Sequence, residues 1–90
     1  MAIAALRLKI LPVGLDTSLD VIKVEALKIM EALGALNTTF VEEPIAFGLK
    51  ALIVQTAWPE AEDTDKAENG LSVIDGVSNV EIIDYRRAFG

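Results

Sequence analysis

The sequence predicts an α+β sandwich, in which a four-stranded antiparallel sheet carries two helices on one face. Segments with strand-like alternation and segments with helical apolar spacing follow one another in the order strand, helix, strand, strand, helix, strand. Two split strand–helix–strand units within 90 residues are typical of the ferredoxin-like βαββαβ sandwich. The first and third strands are expected in the middle of that sheet.

The first strand and the first helix have regular patterns. Residues 4–10 alternate, with Arg7 and Lys9 on one face and apolar side chains on the other, as in a half-buried strand. Residues 16–18 offer N-caps for a helix, and Gly34 ends it. The predicted core stripe of this helix consists of Leu19, Ile22, Ala26, Ile29, Met30 and Leu33.

The second and third strands differ in polarity. Residues 36–43 are rich in β-branched side chains, but polar Asn37, Thr38 and Thr39 favour an edge position. Residues 49–58 have apolar side chains on both faces, which indicates a strand in the middle of a sheet or one whose outer face meets a partner.

The second helix is predicted from Asp63 or Thr64 through Ile74. Gly70 weakens it, because glycine within a helix costs about 1 kcal/mol relative to alanine. Gly76 ends it, and residues 77–85 alternate again as the last strand, which leads to Arg86 and Arg87. The acidic residues 60–65 lack the interleaved spacing of a hard-cation loop, so we interpret them as a solvated connection and helix start.

Composition limits the function. A chain of 90 residues is expected to form one domain, spanning residues 1–90, and it is globular in composition. It contains no cysteine and no histidine, so thiolate nucleophiles, imidazole bases and the common metal sites are excluded. The net charge of −6 argues against a nucleic-acid partner, and no uncharged run is long enough to span a bilayer.

Residues 42–50 form a corner between the second and third strands. Pro44 cannot donate to a sheet ladder, and Gly48 gives the backbone freedom after it. Between them stand Ile45 and Phe47, large apolar residues in a short connection where polar residues are usual. Either they pack under the corner as core, which the usual burial of such side chains favours, or they are held out for another molecule.

The sequence resembles the archaeal elongation factor 1-beta family over essentially its whole length. The resemblance is carried by residues 43–50 (EPIAFGLK), 64–65 (TD), 74–77 (IDGV) and 80–82 (VEI), and by the pair at 86–87 (RR). It implies a cytoplasmic guanine-nucleotide exchange factor that releases GDP from elongation factor 1-alpha, with no covalent catalysis and no cofactor. A monomer is favoured.

The resemblance also implies site residues. Phe47 matches the aromatic that the eukaryotic relatives present to their GTPase, which favours a contact over core, with Ile45 and Gly48 beside it. Arg87 aligns with a lysine that enters the magnesium and phosphate region, although arginine replaces lysine here and the final tail differs. Lys50 and Arg86 are expected as secondary contacts.

Two other function classes remain open from the sequence. A small ferredoxin-like regulatory module could bind a small molecule or dimerise, although such modules normally accompany an enzyme domain. A small hydrolase on this scaffold would need a phosphate-cradling glycine-rich loop with a positioned arginine, and neither spacing occurs.

Overall fold

A computed structural model describes residues 2–87 and shows the predicted order of elements. One antiparallel sheet in this range has the strand order β2-β3-β1-β4, so the first and third strands are central and the second is an edge, as predicted. The elements are β1 (Ile3–Pro12), α1 (Leu19–Ala32), β2 (Leu36–Pro44), β3 (Lys50–Pro59), α2 (Asp65–Ser72) and β4 (Val77–Arg87).

The core lies between the sheet and the two helices. Alternate side chains of β1 point to one face, and the buried side chains of both helices pack against that face. Both helices therefore lie on the same side of the sheet, which confirms the ferredoxin-like sandwich. The fully buried large side chains are Trp58, Leu6, Leu8, Ile10, Ile22, Met30, Leu52, Ile53, Leu71 and Val54.

β3 is buried on both faces. Leu52 and Val54 belong to the core under the helices, whereas Ile53 points to the opposite face and is also buried. Ile53 lies between Lys9 of β1 and Val41 of β2 in the sheet register. Neighbouring side chains on the open face therefore shield the central strand without a second layer.

The caps of α1 agree with the sequence pattern. Ser18 is the N-cap, and its Oγ accepts a hydrogen bond from the Val21 backbone N–H at 3.4 Å. At the other end, Gly34 has a φ of +89°, the left-handed conformation that glycine adopts without strain.

α2 is shorter than predicted, because it ends at Ser72 instead of Ile74. Ile74 N–H donates to the Leu71 carbonyl at 3.2 Å, so the chain tightens into a turn after the helix. Gly70 is required for packing: a Cβ there would lie 3.0 Å from Ile29 Cγ2 of α1. The glycine that weakens the helix locally therefore allows the two helices to approach.

β4 is longer than predicted. It continues through Arg86 and Arg87, which pair with Ala5 and Ala4 of β1. The expectation that Arg87 lies just beyond the final strand is wrong, because pairing with the start of β1 continues to that residue. The final tail, whose difference from the eukaryotic pattern was noted, lies outside the described residues.

Candidate functional site

The corner between β2 and β3 is a closed turn. Pro44 and Lys50 form the last strand pair, and residues Ala46–Gly48 make one turn of 3-10 helix between them. Ile45 N–H donates to the Leu49 carbonyl at 2.8 Å, and Leu49 N–H donates to the Ala46 carbonyl at 3.2 Å. These hydrogen bonds across its base hold the corner in one conformation.

Phe47 stands at the tip of this corner with its ring in solvent. The residue is 92% exposed, so the expectation that the corner residues pack as core is wrong for Phe47. Its φ is +61°, in the left-handed region that bulky residues avoid. Strain of this kind costs about 1–3 kcal/mol and is concentrated at functional sites. The left-handed backbone at Phe47 had no signal in the sequence, where Gly48 alone suggested conformational freedom.

The other predicted corner residues surround Phe47 in different ways. Ile45 is half-buried and anchors the turn, whereas Lys50 is exposed beside it. Gly48 has a φ of +79°, a conformation strained for any side-chain-bearing residue. The four residues, Ile45, Phe47, Gly48 and Lys50, thus form one continuous site.

Glu42 ties this site to α1. Its Oε2 accepts a hydrogen bond from Lys23 Nζ at 3.0 Å, and its Oε1 lies 3.8 Å from Lys50 Nζ. The hydrogen bond and charge of Lys23, with a smaller effect of Lys50, lower the pKa of Glu42, so the carboxylate remains charged at neutral pH.

A cleft of about 310 Å³ opens next to the corner. Its walls come from the β1–α1 connection, the start of α1 and the β3 side of the corner, including Leu15, Leu19, Glu42, Leu49 and Lys50. Sequence reasoning missed this cleft, because no local pattern shows that the β1–α1 connection folds against the corner.

Arg86 and Arg87 lie at the opposite end of the sheet. Arg87 pairs with Ala4, whereas the corner lies beyond Leu52, the partner of Ile10. Six residues of β1 between Ala4 and Ile10 span about 20 Å at about 3.4 Å per residue. The structure therefore does not bring the arginines together with Phe47, and a partner that touches both ends must span at least this length.

Both arginines are exposed and paired with carboxylates. Arg87 Nε lies 3.3 Å from Glu60 Oε1, and the Arg87 side chain is 70% exposed while that of Glu60 is 16% exposed. Arg86 Nε lies 3.2 Å from Asp84 Oδ2. Exposed pairs of this kind contribute only about 0–1 kcal/mol, so either arginine can be released at little cost.

Within residues 2–87, no group of three or more acidic side chains is arranged to hold a metal ion. None of the helices in this range is both long and apolar enough for a bilayer.

Residues 5–87 match the family model described as the EF-1 guanine nucleotide exchange domain. The chain belongs to this family. The elongation factor 1-beta family resemblance is thus confirmed, and the matched range includes the Phe47 corner and both arginines.

Curated relatives agree over most of the chain, and each is an elongation factor 1-beta. That of Methanosarcina barkeri is 40% identical over 88 residues, covering 97% of this chain and 99% of the relative. That of Methanothermobacter thermautotrophicus is 43% identical over 83 residues, covering 89% and 90%. That of Metallosphaera sedula is 39% identical over 83 residues, covering 89% of each.

Proposed function

We propose that this member of the elongation factor 1-beta family is a guanine-nucleotide exchange factor that promotes GDP release from elongation factor 1-alpha, acting as a cytoplasmic monomer. The observation that carries the proposal is Phe47, an exposed aromatic held in a left-handed conformation on a hydrogen-bonded corner. Aromatic side chains dominate the binding energy of protein interfaces, and a rigid corner presents one with little loss of conformational freedom on binding.

Exchange of this kind requires no covalent chemistry. The factor binds the nucleotide-free GTPase more tightly than the GDP-bound one, and by reciprocity it weakens GDP. A tenfold loss of GDP affinity needs about 1.4 kcal/mol of coupling. Phe47 provides the anchor, Ile45, Gly48 and Lys50 surround it, and the absence of histidine and cysteine is compatible with this role.

We assign to Arg87 the displacement of the magnesium ion that helps to hold the GDP phosphates. Its guanidinium leaves Glu60, a release that costs little because the pair is exposed on the arginine side. A cation that approaches the ion and the phosphates competes with the ion for the same negative charge. Arg86, next to it in β4, is a secondary contact.

Release of a fluorescent GDP from elongation factor 1-alpha, followed by stopped flow, tests the proposal. The native protein is expected to accelerate release, and raised magnesium to inhibit the acceleration. Arg87→Ala should slow release at least about tenfold with an unchanged melting temperature, whereas Arg87→Lys, which keeps the charge, should retain much of the activity.

Arg7→Ala is the matched control, because Arg7 is an exposed arginine on β1, on the open face of the sheet. It should release GDP at the native rate. If Arg87→Ala is as fast as the native protein, the assignment of Arg87 is wrong. If the native protein does not accelerate release at all, exchange activity itself is disproved.

A further inference from the structure

The connection between β1 and α1 carries an exposed leucine beside the Phe47 corner. Leu15 is 69% exposed, and its Cδ2 lies 3.6 Å from the point where a Cβ on Gly48 would stand. It therefore lies next to the residue that follows Phe47. Two large apolar side chains exposed side by side form a patch, and patches of this kind mark interaction sites more often than single exposed residues do.

The connection is held in place in the free protein. Val13 N–H donates to the Gly76 carbonyl at 2.9 Å, and Thr17 N–H donates to the Gly14 carbonyl at 3.2 Å. A Cβ on Gly76 would come within 2.9 Å of Thr17 Cγ2, so the segment before β4 packs directly against the connection. Leu15 is thus presented from a pre-ordered segment, which lowers the cost of ordering it on binding.

The cleft between Leu15 and the corner is suited to an uncharged side chain. Apolar walls come from Leu15, Leu19 and Leu49. The charged groups at its edge pair with cations: Glu42 lies 3.0 Å from Lys23 Nζ, and Asp20 lies 3.8 Å from the same nitrogen. A volume of about 310 Å³ is at the small end of ligand pockets.

From this geometry we infer that Leu15 and the cleft form a second apolar contact with elongation factor 1-alpha, continuous with Phe47, in which the cleft receives an apolar side chain of the GTPase. The inference rests on the proposed function, because it assigns the occupant to the partner that Phe47 binds. A central anchor needs surrounding contacts that exclude water from it, and Leu15 lies where such a contact is needed.

Titration of nucleotide-free elongation factor 1-alpha with the full chain tests this inference. Leu15→Ala is expected to weaken binding about tenfold, since it removes apolar area that the contact would bury. Leu15→Met, which keeps apolar bulk, should bind within about twofold of the native protein. Trp58 fluorescence melts should be unchanged in both variants, because Leu15 lies outside the core.

Val24→Ala is the matched control. Val24 is an aliphatic residue of α1 that is 54% exposed and does not line the cleft, so its truncation should leave binding unchanged. If Leu15→Ala binds as tightly as the native protein while Phe47→Ala does not, the second contact is disproved and the proposed function stands. If the native protein itself does not bind the GTPase, the proposed function fails and this inference fails with it.

Discussion

Phe47→Ala is expected to weaken binding to nucleotide-free elongation factor 1-alpha by about 2 kcal/mol or more, roughly 30-fold, with little change in melting temperature. Binding falls because the proposed aromatic anchor is lost. Stability is retained because the ring is 92% exposed and leaves no cavity when it is removed. Isothermal titration against the GTPase and a thermal melt of each variant measure the two quantities separately.

Phe47→Gly separates the ring from the backbone at this position. Glycine tolerates the φ of +61° without strain, so this variant should be at least as stable as Phe47→Ala, and it should bind the GTPase just as weakly. A large drop in melting temperature together with native binding would return Phe47 to a structural role.

Trp58→Ala is expected to have the opposite effect, with a loss of about 3–5 kcal/mol in the free energy of unfolding. Trp58 is fully buried, and its Nε1 donates to the Glu62 carbonyl at 3.0 Å, so truncation leaves both a cavity and a carbonyl without its donor. The loss is a large fraction of the stability of a small domain.

Urea unfolding followed by far-UV circular dichroism measures this loss, because the variant has no tryptophan left to report by fluorescence. Trp58→Phe should fall between the native protein and Trp58→Ala, since it keeps most of the buried ring area but not the donor. A Trp58→Ala midpoint equal to that of the native protein would show that the core repacks around the missing ring.

The sequence by itself determined the elements whose pattern is local. Alternation along β1 and helical spacing along α1 assign each side chain to a face, because those periods are properties of the backbone alone. The polar side chains of β2 and the two-sided apolar character of β3 then predicted edge and centre correctly. Family membership followed from the motifs around Phe47 and residues 74–77, which local physics does not supply.

Only the tertiary structure decided the features that depend on residues distant in sequence. Gly70 costs α2 stability when it is considered locally, but Ile29 of α1 leaves no room for a larger side chain there. Pairing with Ala4 extends β4 through Arg87. Leu15 meets the corner only because the β1–α1 connection folds back on it, and the exposure of Phe47 likewise results from a turn closed by backbone hydrogen bonds. Burial and contact depend on which surfaces meet, and a one-dimensional pattern contains that information only for neighbours along the chain.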